Sequence, residues 1–285
     1  MTSSDKKQSF PTSDALTEAE IRARLGHTNQ VGHTLVCFAE IDSTNTYAKK
    51  IALEGAEDGT VVVADCQTAG RGRRERSFQS PSGKGIYLTA ILKPEIAPAE
   101  LLPVTALCAV AIGRAVERSC GMVPQIKWTN DLVLHGKKFC GILTEASANG
   151  ESDRVQYLVL GIGINVHQRP EDFSPDVRAM ATSLSEERGC PVSRPALAAA
   201  EIEELDKLDQ ALRGGRAKEY LDAYRSRCVT LGREVQLLRA DGSREHVTAL
   251  DVDDQFGLVV RRDSGETAVI RSGEASVRGM YGYAE

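Results

Sequence analysis

Residues 125–147 read QIKWTNDLVLHGKKFCGILTEAS, and this stretch decides what kind of fold the chain adopts. It contains two strand-like runs joined at His135 and Gly136, a pattern typical of a β-hairpin. A further strand is predicted by VQYLVLGIGINV at residues 155–166. The middle of the chain is therefore predicted to be β-rich, with a hairpin followed by another strand.

Helical and strand patterns are mixed on both sides of this stretch. Strand patterns lie at residues 34–41, 60–68 and 86–93. Helical patterns begin near Thr46 and cover residues 98–119, 196–215 and 217–228. Since apolar residues recur with both periods and no unit repeats, we predict a body in which helices pack against a sheet.

From about Leu231 the pattern becomes entirely β. Short alternating strands are broken by DG, DDQFG and DSG turns, which predicts a small β-barrel or sheet of about 55 residues. We therefore predict three parts. They are a flexible leader with one short helix at residues 1–33, a main domain at 34–230 and the β-rich domain at 231–285.

The composition excludes several classes of protein. With 285 residues, 41% of them hydrophobic, the chain can bury a substantial core, and its net charge of -5 argues against a broad basic surface for nucleic acid. Its 7 cysteines show no metal-ligand spacing, and reduced thiols indicate a cytoplasmic protein. The N-terminus lacks the apolar core of a signal peptide, and the most apolar stretch, 101–116, contains Pro103 and Arg114. We therefore expect no membrane segment.

Residues 68–78, TAGRGRRERSF, place a dense group of arginines in this acidic protein. One interpretation is a solvated run of charge. The other is a loop that closes over a phosphate group, because glycines let backbone amides approach a ligand and guanidinium groups match phosphate oxygens. Phe78 then offers a face on which a base can stack. Glu75 is the only acidic residue among the arginines, so the positive charges of the unliganded loop repel one another. This favours the second interpretation, in which an anion relieves the repulsion.

Two glycine patterns do not define a nucleotide site by themselves. GKG at 83–85 lacks the other residues of a P-loop, and GIGINV at 161–166 lacks the third glycine and the helix of a dinucleotide fingerprint. Gly161 and Gly163 either pack in a crowded strand or leave room for a ligand that Asn165 contacts. Spacing leaves both interpretations open.

Five short blocks, in this order, resemble those of the biotin protein ligase family. They are STN at 43–45, GRGRRERSF at 70–78, KWTNDL at 127–132, GKKFCGIL at 136–143 and GIGIN at 161–165. The resemblance implies an α+β fold: a mixed sheet with flanking helices, like that of class II aminoacyl-tRNA synthetases, and a C-terminal SH3-like β-barrel. It implies a reaction in which biotin and ATP, with Mg2+, form biotinyl-5'-AMP. Biotin then passes to a lysine of a biotin carboxyl carrier protein or domain of acyl-CoA or pyruvate carboxylases.

The resemblance also implies roles for individual residues. Lys138 contacts the biotin carboxylate and the α-phosphate, and Arg73 shares this catalytic role. The implied biotin-binding residues are Ser43, Thr44, Asn45, Gln67, Arg71, Gly72, Arg73 and Lys138. The implied adenylate and ATP contacts are Arg71, Arg73, Arg74, Arg76, Phe78, Asn130 and Asn165. Asp131 is a candidate ligand of Mg2+, and Lys127 is a candidate phosphate contact.

Structural roles compete with several of these assignments. Ser43 or Thr44 is equally suited to cap a helix, and Gln67 to form a turn at a strand end. Trp128 is expected to pack in the core. Alternation places Lys138 on the face of Cys140 and Ile142 and Lys137 on the face of Phe139, which leaves open which lysine points inward. In the family pattern it is the second lysine.

The chain departs from the commonest family pattern at three positions. Thr129 stands in place of a proline, Glu75 of a glycine and Phe78 of a tryptophan. A smaller ring at residue 78 stacks with less area, so we expect altered nucleotide affinity and an unchanged type of reaction. About 33 residues precede the first strand. That is too few for the DNA-binding domain of some family members, so we expect no DNA binding and no repressor activity, in a monomer or a homodimer.

Two other functions compete with this interpretation. A lipoate ligase also adenylates a carboxylate and acylates a carrier lysine, but the arginine loop and KWTNDL favour biotin. A non-catalytic nucleic-acid-binding protein could use the arginine loop together with the β-rich domain. The acidic charge and the lack of aromatic residues among the basic residues of that domain argue against it.

Overall fold

The computed structural model describes residues 14–73, 76–148, 154–216, 218–239, 242–271 and 275–279. The helices are α1 Glu18–Arg22, α2 Thr44–Leu53, α3 Leu101–Cys120, α4 Leu184–Arg188, α5 Arg194–Arg213 and α6 Lys218–Arg227. The strands of the body are β1 Leu35–Phe38, β2 Val61–Ala64, β3 Gly85–Leu92, β4 Gln125–Lys127, β5 Asp131–Leu134, β6 Lys137–Ala148 and β7 Val155–Asn165. Those of the C-terminal part are β8 Glu234–Arg239, β9 Arg244–Val252, β10 Leu258–Arg262, β11 Thr267–Ile270 and β12 Ala275–Gly279.

A seven-stranded mixed sheet forms the centre of the body, in the order β1-β2-β3-β7-β6-β5-β4. Strands β1 and β2 are parallel, because helix α2 connects them. The other neighbouring pairs are antiparallel. This arrangement confirms the predicted mixed sheet with flanking helices.

Helices cover both faces of this sheet. On one face, α3 and α5 pack against each other and against the central strands. On the other face, Ala48 and Ala52 of α2 pack against Val159 of β7. Because side chains alternate along a strand, the next residues of β7 on that same face are Gly161, which lies against Asn45 at the start of α2, and Gly163.

Helix α3 lies in the interior of the protein. Together with the turn at Pro98–Glu100 it is long and apolar enough to cross a membrane by length and composition alone. In this fold, however, most of its apolar side chains are buried against the rest of the protein. It is therefore the central helix of the core.

The predicted hairpin at His135 and Gly136 forms, but the run before it is interrupted. These two residues have φ angles of 46° and 76°, as the two central positions of a type I′ turn require. The chain also turns at residues 128–130, so that β4 and β5 pair as a second hairpin. The prediction of a single strand-like run over residues 125–134 is wrong, since Asn130 is a residue type that favours turns.

Strand β6 contains a β-bulge at Phe139. Leu132 of β5 faces Cys140, whereas Val133 faces Lys138, so that Phe139 is an extra residue in the pairing. Phe139 and Cys140 are consequently both buried in the core. Lys138 shares a face with Gly141, where a β-carbon would lie 3.0 Å from the lysine Nζ. The face that strict alternation predicts for Lys138 is therefore wrong.

The described part of the N-terminal leader is packed against the body. Leu16 and Ile21 are buried in the main core. Arg194 donates hydrogen bonds from its backbone N–H and its Nε to the Asp14 carboxylate, both at 2.8 Å. Residues 14–33 thus differ from the flexible segment that we expected, because burial of two large apolar side chains fixes them in place.

The C-terminal part forms a five-stranded antiparallel sheet in the order β11-β10-β9-β8-β12. It is joined to the body through Trp128, whose indole N–H donates to the carbonyl of Phe256 at 2.9 Å. The Phe256 ring also meets Tyr224 edge to face, with 5.3 Å between ring centroids. Trp128 is 5% exposed, which confirms the core position predicted for it.

Candidate active site

A cavity of about 670 Å³ opens on the sheet face that α2 leaves uncovered. It brings together residues that are far apart in the sequence. Of those predicted to bind or react, the cavity is lined by Ser43, Thr44, Asn45, Gln67, Arg71, Gly72, Arg73, Arg76, Phe78, Lys127, Asn130, Asp131, Lys138 and Asn165. Arg74 was predicted as well, but it lies outside the described residues.

Ser43 serves both as a helix cap and as a wall of the cavity. Its backbone is extended, and its hydroxyl oxygen accepts a hydrogen bond from the Thr46 N–H at 3.4 Å, which begins helix α2. That contact uses the oxygen of Ser43 but not its hydroxyl hydrogen. The two interpretations of this residue are therefore compatible.

Gln67 connects α2 to Ser80, in the segment between the arginine loop and β3. Its Oε1 accepts hydrogen bonds from the backbone N–H of Thr44 at 2.9 Å and from the Thr44 hydroxyl at 3.1 Å. Its Nε2 donates to the Ser80 hydroxyl at 2.9 Å. Because both ends of the amide have partners, the orientation of Gln67 is fixed.

Glu145 of β6 lies behind the cavity wall and was not identified from the sequence. Burial opposes its ionisation, but hydrogen bonds from Lys49 and Asn45 and the charges of Lys49 and Arg71 outweigh this and lower its pKa. Alternation from Gly141 through Leu143 places Glu145 on the cavity face. That spacing is the signal that could have identified it, once the bulge is taken into account.

The arginine loop folds back on itself. The Gly72 N–H donates to the carbonyl of Arg76 at 2.7 Å, which closes a narrow turn. Arg73 Nη1 donates to Asn130 Oδ1 at 2.6 Å, and Arg71 Nη1 lies 3.3 Å from Glu145 Oε1. Since these guanidinium groups line the cavity, the arrangement favours the phosphate-binding interpretation over a solvated run of charge.

Lys138 is the lysine of the pair that lines the cavity. Its Nζ lies 2.6 Å from Asp131 Oδ1, and the two side chains are 28% and 14% exposed. Lys137 is exposed and is not part of the cavity wall. The structure thus resolves the choice that periodicity left open, and it pairs the cation with a carboxylate across the hairpin.

The two glycines of β7 make room for side chains of the site. A β-carbon on Gly163 would lie 2.6 Å from Cε1 of Phe78, and one on Gly161 would overlap the amide oxygen of Asn45. Packing therefore accounts for both glycines. Asn165 also lines the cavity, with its amide donating to the carbonyl of Thr182 at 3.1 Å and accepting from Gln168 at 3.1 Å.

A wall formed by residues 173–181 was also missed from the sequence. Phe173, Val177 and Met180 supply its apolar side chains. The Lys138 N–H donates to the carbonyl of Met180 at 2.8 Å, so this segment is attached to the strand that carries the lysine. The apolar residues of 173–181 are irregularly spaced and give no periodic pattern. The position of this segment after GIGIN is the one sequence feature that points to the site.

The described ranges contain no group of three or more His, Cys, Asp or Glu side chains placed to hold a metal ion. Asp131, the candidate ligand of Mg2+, is instead paired with Lys138. The side chains of the cavity therefore do not form a protein metal site of their own, and their cationic groups suit an anionic ligand.

Comparison with known proteins agrees with this geometry. Residues 37–165 match the biotin/lipoate A/B protein ligase family. The bifunctional ligase/repressor BirA of Bacillus subtilis is 43% identical over 179 residues, which cover 63% of this chain and 54% of that protein, so the match spans about half of that relative's length. The biotin--[acetyl-CoA-carboxylase] ligase of Mycobacterium tuberculosis is 30% identical over 91% of this chain and 94% of its own length.

A solved structure shows the same similarity. The biotin protein ligase of Aquifex aeolicus in complex with biotin and ATP superposes with a TM-score of 0.74 at 28% identity, covering 87% of this chain and 99% of that one. The class of protein follows from three findings: the fold, the cation-lined cavity on a mixed sheet, and the similarity to these relatives. The chain belongs to the biotin/lipoate protein ligase family.

Proposed function

We propose that this chain is an ATP-dependent biotin protein ligase. It activates biotin as biotinyl-5'-AMP and transfers biotin to one lysine of a biotin carboxyl carrier domain of acyl-CoA or pyruvate carboxylases. The observation that carries the proposal is the cavity that Lys138 and three arginines line together with polar groups at the start of α2. Relatives that are 30% identical over nearly their whole length are biotin ligases, which supports it.

In the first step, an oxygen of the biotin carboxylate attacks the α-phosphorus of ATP. A carbon-bound oxygen becomes joined to phosphorus, and the bond between the α-phosphorus and the bridging oxygen of pyrophosphate breaks. Two anions must approach each other, so positive charge between them lowers the barrier. Lys138 meets this need at the junction, and Arg71, Arg73 and Arg76 surround the phosphates.

In the second step, the amine of the carrier lysine attacks the carbonyl carbon of the mixed anhydride. An amide bond forms, AMP leaves with the electron pair of the broken carbon–oxygen bond, and the amine loses a proton. The arginine loop covers the anhydride until the carrier arrives, since this intermediate reacts with water and with any amine. We expect Mg2+ to arrive with the phosphates of ATP, as part of the substrate.

Pyrophosphate exchange measured with biotin and with lipoate tests this proposal directly. Biotin-dependent exchange without lipoate-dependent exchange is the expected result. Exchange with lipoate alone would assign the chain to the other branch of its family. The absence of exchange with either acid, together with salt-sensitive retention on DNA, would favour the nucleic-acid-binding alternative.

Three further properties of this ligase stay predictions. We expect cytoplasmic location, a monomer or a homodimer, and no sequence-specific binding of DNA. Sedimentation with and without biotin and ATP determines the oligomeric state in each condition. Titration of labelled DNA at about 0.15 M salt tests the absence of repressor-like binding.

A further inference from the structure

We propose that Glu145 is a positioning residue of the biotin pocket. Its carboxylate fixes the direction of the hydrogen bonds that face the ligand, and it holds Arg71 of the arginine loop. The inference rests on the proposed function. It assigns a role to a side chain that does not itself line the cavity, so we expect Glu145 to act through its neighbours.

Glu145 is contacted by three side chains from two parts of the site. Its carboxylate lies 2.7 Å from Lys49 Nζ, 3.0 Å from Asn45 Nδ2 and 3.3 Å from Arg71 Nη1. Lys49 and Asn45 belong to α2, whereas Arg71 belongs to the arginine loop. One carboxylate therefore connects the fixed wall of the pocket with the loop that covers it.

An ionised carboxylate can only accept hydrogen bonds, and this sets the direction of the next contacts. Asn45 must turn its Nδ2 toward Glu145 and so turns its Oδ1 toward Thr89. The Thr89 hydroxyl donates to that oxygen at 2.7 Å. Its single hydrogen is then used, because Thr89 is fully buried and has no second one to offer.

The direction continues to Thr44, whose hydroxyl lies 2.8 Å from that of Thr89 and 3.1 Å from Gln67 Oε1. Thr89 and Gln67 Oε1 can only accept at these positions. The hydrogen of Thr44 therefore points into the protein in either case. Thr44 is left with lone pairs for a ligand, whereas Ser43 keeps its hydroxyl hydrogen to donate.

This polarity matches a cyclic urea, in which N–H donors flank a carbonyl acceptor. Thr44 can accept from an N–H, and Ser43 can donate to the carbonyl. If the group at residue 145 could donate as well as accept, Asn45 could turn over against the longer 3.4 Å contact of its Nδ2 with the Leu143 carbonyl. The direction between Thr89 and Thr44 could then reverse, and only the 3.1 Å contact with Gln67 Oε1 would keep the Thr44 hydrogen away from the ligand. A fixed negative charge at Glu145 prevents that reversal.

Glu145→Gln tests the role, because glutamine has the same size but can present either end of its amide. We expect the KM for biotin in pyrophosphate exchange to rise about tenfold, which equals about 1.4 kcal/mol. The KM for ATP should rise by a smaller factor, through the 3.3 Å contact of Glu145 with Arg71, and kcat at saturating biotin should not change. Glu145→Asp keeps the charge and should recover part of the loss. Glu117→Gln, which removes a 2.6 Å ion pair with Arg227 outside the cavity wall, is the matched control.

A double-variant cycle tests the route. Thr89→Val keeps the shape of the side chain, removes the hydroxyl in the middle of the series and should raise the biotin KM by itself. If Glu145 acts through Thr89, the increase in the biotin KM of the double variant is smaller than the product of the increases in the two single variants. Calorimetric titration with biotin repeats the comparison in the absence of turnover.

Three results would overturn the inference while leaving the proposed function intact. They are an unchanged biotin KM in an active Glu145→Gln protein, equal increases in the KM values for biotin and ATP, and independent effects of the two substitutions. Failure of the proposed function is distinct, because wild-type protein would then show no biotin-dependent exchange at all.

Discussion

Replacing Lys138 with glutamine tests whether the positive charge of this side chain is needed for the proposed adenylation step. The substitution removes one positive charge and retains much of the side chain. Lys138 is 28% exposed and belongs to no apolar cluster, so we expect the fold to persist. Lys137→Gln is the matched control, since it makes the same change one residue earlier on an exposed side chain outside the cavity wall.

Two effects contribute to the expected loss. Removing one preorganised donor to developing negative charge typically lowers the rate by about 10²–10³. In addition, Asp131 loses the ion pair at 2.6 Å and places a less compensated negative charge beside two reacting anions. At a separation of about 4 Å and an effective dielectric constant of about 20, such a charge contributes about 4 kcal/mol of repulsion.

These effects can be separated by experiment. We expect Lys138→Gln to lose about 10³ or more in biotin-dependent pyrophosphate exchange. The double variant Asp131→Asn with Lys138→Gln should be faster than the single one, because the repulsion is gone. Wild-type exchange in Lys138→Gln, or an equal loss in Lys137→Gln, refutes the role of Lys138. A double variant slower than the single one refutes the argument about Asp131.

Three more predictions follow from the same structure. Tryptic cleavage within the arginine loop should slow when biotin and ATP are bound, and Arg73→Gly should release the adenylate early and label bystander lysines; equal cleavage with and without ligand contradicts this. Burial raises the pKa of Glu201 far above its ordinary value. Between the two pKa values, the folded protein therefore keeps a proton on Glu201 that the unfolded chain has lost. Wild-type protein should then lose stability relative to Glu201→Met as the pH rises, by up to about 1.4 kcal/mol per pH unit, in urea denaturation at about pH 5 and about pH 7. A difference in unfolding free energy between the two proteins that is the same at both pH values contradicts this prediction. Val277 of β12 lines the cavity, and Val277→Thr should raise the KM for ATP without changing the affinity for biotin. Titrating ATP in the exchange assay and biotin in a calorimeter measures the two quantities separately.

Local patterns were sufficient for much of the fold. The hairpin at His135 and Gly136 follows from turn chemistry, and the core helix α3 from apolar spacing at the helical period. Both depend on residues that are neighbours in sequence, so the sequence itself contains the information. The residues that line the cavity were identified differently, through five motifs whose joint occurrence is specific although each motif alone is weak.

The features that were missed depend on contacts between distant segments. The bulge at Phe139 exists because β5 and β6 pair with an offset, which no property of β6 alone reveals. Glu145 gains its importance from Arg71 and Asn45, at sequence distances that no local pattern covers. The packing of the leader likewise depends on Arg194, 180 positions from Asp14.

The attachment of Trp128 has a consequence for how the protein is made. The backbone N–H of this cavity residue donates to the hydroxyl of Thr230 at 3.0 Å, and its indole N–H donates to the carbonyl of Phe256. During synthesis, both acceptors leave the ribosome long after residues 125–147. A nascent or prematurely terminated chain therefore has an incomplete cavity wall. We therefore expect such chains to lack the proposed activation of biotin, which would keep unfinished chains from releasing a reactive acyl adenylate.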